Sequence, residues 1–124
     1  MSNKKLFISC PMNGRTKENI KKSMDKMHKI AEVVFEQELD VIDTYIEDEP
    51  PVGINPGIWY LGKSIEMMAE ADYFIGLSSC GYLWHGCSIE THVAKAYNIP
   101  VFELSDHDII SKEEYTKINS SINL

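Results

Sequence analysis

The stretch DYFIGLSSCGYLWHGCSIETHVAKAYNIPVFEL, residues 72–104, decides how the chain folds. Residues 72–79 form a short apolar run of strand length, rich in aromatic and branched side chains. Residues 80–87 carry Cys, Gly, Tyr, Trp and His with no period and read as a loop. Over 88–97 the apolar residues Ile89, Val93, Ala94 and Tyr97 return on one side of a helix. IPVFEL (99–104) is a second apolar run. Strand, helix and strand in that order make a crossover unit, and continuous apolar strands of this kind belong to parallel sheets buried on both faces.

The same alternation extends in both directions. Upstream, KKLFIS (4–9) reads as a strand and CPMNGR (10–15) as a loop marked by Pro11 and Gly14. A helix is expected from Thr16 to about Leu39, with Ile20, Met24, Met27, Ile30 and Val34 on its apolar face. DVIDTY (40–45) is the next strand, and residues 46–57 form an acidic loop rich in Pro and Gly. A helix over 58–71 buries Trp59, Leu61, Ile65, Met68 and Ala69. Downstream, Ser111 followed three residues later by Glu114 has the pattern of a capping box and opens a last helix over 111–122. The order β-α-β-α-β-α-β-α predicts one α/β domain over 1–124, with a parallel sheet between helices. Ligands of such sheets sit beyond the carboxyl ends of the strands, where strand order reverses. The loops at those ends are 10–15, 46–57, 78–87 and 105–108.

Bulk composition narrows the partners. The chain has 124 residues, 44% of them hydrophobic, enough for a folded core. A net charge of −7 argues against a nucleic-acid polymer or an anionic membrane as partner, and leaves room for a small ligand. No apolar run approaches the ~18 residues of a membrane span. MSNKKLFISC has too short an apolar segment for a signal peptide. The three cysteines include no C-x-x-C pair, so they are read as reduced and the protein as cytoplasmic.

Chemistry-bearing residues gather in the loops at the expected ligand edge. Glu90 falls in the first turn of a helix that starts at 88. There it is either a helix-dipole residue or an ionised nucleophile, and a carboxylate attacking an anomeric carbon is the central step of retaining glycosidic chemistry. Residues 10–15 lack a P-loop or dinucleotide fingerprint, yet a helix N-terminus beside Arg15 can hold an anion; the alternative is a solvated arginine. Tyr82 and Trp84 lie in a loop, where a flat ring can stack on a base. Asp72 reads as a structural carboxylate tying a loop. Cys80, His85, Cys87 and His92 are zinc-ligand types, but their spacing matches no common zinc pattern, so no metal is expected.

Taken together, LFISCPMNGRTKEN (6–19), EADYFIGL (70–77) and GCSIETHVAKAYNIPVF (86–102) resemble the nucleoside 2-deoxyribosyltransferase superfamily, in its short phage and prophage branch. The resemblance implies a flavodoxin/Rossmann-like three-layer sandwich whose parallel sheet has four to five strands. It implies cleavage or transfer at the N-glycosidic bond of a (deoxy)nucleoside or its 5′-monophosphate, no cofactor, and a homo-oligomer, dimer or larger. The nucleophile falls on Glu90, with His85 as the candidate general acid. Substrate contacts are expected from Ser9, Pro11, Met12, Asn13, Gly14, Arg15, Tyr82, Trp84, Gly86 and Ser88, with Arg15 and the 10–15 amides on phosphate. The chain departs from the family where a first-strand tyrosine is replaced by Phe7, one aspartate by Ser64 and another by Trp84. Those departures motivate a rival expectation, a nucleotide-binding protein that senses or sequesters its ligand without turnover.

Overall fold

The computed structural model describes residues 2–78 and 84–122. Strand β1 (Lys4–Ile8) leads to helix α1 (Lys17–Val34), β2 (Leu39–Val41) to α2 (Pro56–Met68), and β3 (Tyr73–Leu77) to α3 (His85–Ala96). Strand β4 (Val101–Leu104) continues through a short 3-10 turn (Asp106–Asp108) to α4 (Lys112–Ile122). Among the described residues the strands form one sheet, all parallel, in the order β2-β1-β3-β4.

Successive side chains of a strand point to opposite faces, and each face here has its own core. Leu6, Ile8, Ile75 and Leu77 pack with Met27 and Ala31 of α1 and Ile118 of α4. Phe7 and Phe74 point the other way and pack with Met68 of α2 and Ala94 of α3. Their rings stack with centroids 5.5 Å apart and planes 3° from parallel. The molecule is thus an α/β sandwich of the flavodoxin-like kind, with four strands between helical layers.

Several boundaries move, each for a local reason. Helix α1 starts on its Thr16 cap as expected but stops at Val34, because Glu36 turns left-handed (φ 56°) and redirects the chain into β2. Glu32 and His28 of α1 then bond the backbone N–H and C=O of Leu39, at 2.9 and 2.8 Å. Asn55 caps α2 ahead of Pro56, so that helix begins earlier than 58. Ser111 caps α4 by accepting from the Glu114 N–H at 3.1 Å, while the Glu114 side chain turns elsewhere. Asp72 is the expected tie: its Oδ2 accepts from the Lys5 N–H at 2.8 Å, fastening the start of β3 to β1.

Helix α3 lies so close to β3 that only glycine fits between them. A Cβ on Gly76 would stand 2.8 Å from Phe74 Cε1 and 3.0 Å from Thr91 Oγ1. Gly76→Ala is therefore expected to cost about 1–3 kcal/mol in urea unfolding, as overpacked cores do.

Candidate active site

The order β2-β1-β3-β4 places the reversal of direction between β1 and β3, and a cleft of about 670 Å³ opens beyond the carboxyl ends of those strands. That volume suits a small molecule. The cleft takes Met12 and Asn13 from the loop after β1, Thr44 and Asn55 from the 42–55 connection, and residues of α2 and α3. On α2 the lining residues Gly57, Tyr60, Leu61 and Ser64 recur three and four apart, so they form one helical face.

Glu90 closes the inner end. It is 9% exposed, lines the cleft, and accepts a hydrogen bond on Oε1 from Ser9 Oγ at 2.8 Å. Ser9 is itself buried at the exit of β1, its backbone N–H bonded to the Ile75 carbonyl at 2.9 Å. Ser64 of α2 lines the same cleft, and its hydroxyl favours the ionised form of the carboxyl. Burial pushes the Glu90 carboxyl above its usual value, and the two serine hydroxyls act in the opposite sense. Among the described residues no cation pairs with Glu90. This corrects the dipole reading: α3 begins at His85, so Glu90 lies in the second turn, away from the free amides. Its protonation is governed by burial and by two hydroxyls. Ser9→Ala removes the donor to the ionised form, and Ser64→Ala removes a cleft hydroxyl that favours that form. The acid limb of any Glu90-dependent reaction is therefore expected to move to higher pH in each variant, read as a kcat/KM profile.

The other expected site residues divide. Met12, Asn13, Trp84, His85 and Gly86 line the cleft with Glu90. Trp84 does so as a fixed wall: it is buried, and its indole N–H donates to the Asn13 carbonyl at 3.1 Å. A Cβ on Gly86 would stand 3.9 Å from Leu61 Cδ1 of α2, an ordinary contact, so the packing of α3 on α2 does not require a glycine there. Ser9, Pro11, Gly14 and Ser88 are not in the lining; Ser9 is buried behind Glu90 as its donor, and Ser88 is on the exposed side of α3, two residues and roughly 200° from Glu90. Gly14, at φ 78°, shapes the turn closed by the Arg15 N–H on the Met12 carbonyl at 3.1 Å. Tyr82 lies outside the described residues, as does Cys80. Among the described residues no three His, Cys, Asp or Glu side chains are placed to hold a metal ion.

Arg15 is the clearest correction. Its side chain is 0% exposed and faces Glu114 of α4, 10% exposed. Nε donates to Glu114 Oε2 at 2.5 Å and Nη2 to Oε1 at 3.0 Å, a two-pronged pair. Nη2 also donates to Ser23 Oγ at 2.7 Å, and Nη1 to the Pro11 carbonyl at 2.9 Å and the Cys10 sulfur at 3.8 Å. A guanidinium has five N–H groups, and these bonds use them all. Neither a phosphate site nor a solvated arginine describes it. Without Arg15, no lysine or arginine lines the cleft, and His85 is its one basic side chain among the described residues. Cys10, also in the lining, is a poor nucleophile: burial pushes its thiol up to about 11, against the pull of Arg15.

Ser64 is the participant that the sequence did not single out as a site residue. Its signal was a hydroxyl on the same face of α2 as Gly57, Tyr60 and Leu61. Among the described residues, no helix is long and apolar enough to cross a membrane. Comparison with protein-family models, curated proteins and solved structures finds no match.

Proposed function

We propose that this cleft cleaves the N-glycosidic bond of a neutral (deoxy)nucleoside, with Glu90 as nucleophile. One observation carries the reading: a buried carboxylate in a small-molecule cleft, held by the Ser9 hydroxyl and, among the described residues, without a cationic partner. In the first step a Glu90 oxygen bonds to C1′, the C1′–N bond breaks, and the base departs with that electron pair. The base takes a proton from His85, which lines the same cleft at the start of α3. Water then attacks C1′ and frees Glu90, or a second base does so and completes a transfer. Ser9 holds the carboxylate in one orientation throughout, so little freedom is lost on reaching the transition state.

The neutral nucleoside is preferred over its monophosphate on charge. A phosphate entering this cleft would meet the Glu90 carboxylate and no lysine or arginine. The rival reading, a binding protein without turnover, draws on Phe7. It lines the cleft where the family has a tyrosine, and a phenyl ring brings no hydroxyl to it.

Incubation with a panel of nucleosides and 5′-monophosphates, with released base followed by chromatography, separates these readings. Base release from nucleosides, at least about tenfold faster than from monophosphates, is the expected result. A nucleoside that raises the melting temperature and yields no base over long incubation would establish the binding role instead.

A further inference from the structure

We propose that Arg15 and Glu114 are positioning residues for Glu90, acting through the cleft wall that α4 grips at two consecutive residues. The inference rests on the glycosidic reading insofar as Glu90 is the nucleophile. Arg15 and Glu114 touch neither the cleft nor Glu90, yet every route from them leads there. Through Pro11 and Cys10 the guanidinium holds the chain that leaves β1 directly after Ser9, the donor to Glu90. Its own N–H closes the turn that carries Met12 and Asn13, both in the cleft wall. The Asn13 carbonyl in turn receives the Trp84 indole N–H. Trp84 caps α3, and its carbonyl accepts from the Cys87 N–H at 3.1 Å to start the helix that carries Glu90.

Helix α4 seizes this chain of contacts at both ends. Glu114 takes the arginine, and the next residue, Tyr115, lays its ring 6.0 Å from that of Trp84. Tyr115 is itself fixed by donating its hydroxyl to Asp106. Ser23 of α1 completes the frame, since it accepts from Arg15 and donates to the Ile109 carbonyl at 3.1 Å. A planar fork met by a carboxylate on one side and by a carbonyl, a thiol and a hydroxyl on the others has one fit. It therefore sets where the loop lies, and with it both the Ser9 donor and the first turn of α3.

Trp59→Phe leaves Trp84 as the one tryptophan, since the chain has two. In that background Glu114→Gln removes the charge and Arg15→Lys removes the fork. Well below the melting transition, both are expected to increase acrylamide quenching of Trp84. They should also lower kcat on the order of 10- to 100-fold with little change in KM, the signature of a misplaced reacting group. Leu39→Ala, a core truncation at the start of β2 and remote from the cleft, is the control that loses stability without either effect. Trp84→Phe keeps a ring and deletes the N–H to Asn13, and is expected to lower kcat in the same way. If Glu114→Gln and Arg15→Lys lower the melting temperature but match the parent in quenching, kcat and KM, the pair is only a brace and the proposal is overturned. If the unmutated protein releases no base, the glycosidic reading fails by itself. Quenching and the carbon-13 carboxyl shift of Glu90 then decide: a change in Glu114→Gln upholds the positioning role, and none overturns it.

Discussion

Glu90→Gln is expected to abolish base release while raising the melting temperature at neutral pH. The loss of activity follows from the proposed role, since an amide does not form the glycosyl ester; kcat should fall by more than about 1,000-fold, within the range seen when nucleophiles are removed. The gain in stability follows from burial. Because burial pushes the Glu90 carboxyl above its usual value, the unfolded chain ionises first as pH rises. Between the unfolded and folded values the folded state binds more protons, so stability falls with rising pH through that window and stays low above it. Glutamine has no such window. Its amide oxygen also keeps the Ser9 hydroxyl as donor. Glu90→Ala should lose the activity too, but it leaves a cavity and an unpaired Ser9 hydroxyl, so it should melt below Glu90→Gln. Calorimetry of both variants across pH 5–8, beside base release, checks the two halves separately. Turnover that survives in Glu90→Gln removes the carboxylate from the chemistry.

Arg15→Ala should cost roughly 3–5 kcal/mol in urea unfolding, against a few tenths for most surface charges. Most of that cost is the Glu114 carboxylate left behind, 10% exposed and without its partner. The rest is the Pro11 carbonyl and the Ser23 hydroxyl, which lose their donor. Typical domains have only ~5–15 kcal/mol in total, so the variant should unfold at low denaturant. Glu114→Ala should be comparably damaging, because it strands the guanidinium. The double variant should cost clearly less than the two single costs together, since neither charge is then stranded. A cost below about 1 kcal/mol for Arg15→Ala would mean that the pair behaves as an exposed one.

Why some of this was legible in the sequence and some was not comes down to range. The β-α alternation and the Thr16 and Ser111 caps depend on residues close in sequence or on period alone, and each is seen in the structure; Asp72 reads as a tie, but its partner Lys5 is 67 residues away. The start of α3 was misplaced by three residues because Trp84 caps it through its backbone, with no side-chain bond to announce it. That shift moved Glu90 out of the first turn and replaced a dipole argument with burial and hydroxyls. The cleft edge could be located from topology, but Arg15 could not be judged there, because its partner lies 99 residues away. A cation in a loop reads as free until the chain is folded. From sequence Ser64 reads only as a substitution for an aspartate; that it shares the cleft with Glu90 depends on how α2 and α3 pack. The identity of the reaction rests on resemblance and on the site's chemistry together.

The span of the Arg15–Glu114 pair bears on how the protein is made. At ~5–20 residues per second of synthesis, the 99 residues between them imply an interval of roughly 5–20 s in which the arginine has emerged and the glutamate has not. The ribosome thus delivers all four strands of the sheet before the residue that locks the loop beside the cleft. During that interval the guanidinium is solvated and the wall formed by Asn13 and Trp84 lacks its outer support. The strands are out by Leu104, ten residues ahead of Glu114, so the nascent chain owns a sheet shortly before it owns a finished site, and α4 acts as a closing stitch rather than as an ornament on a completed core.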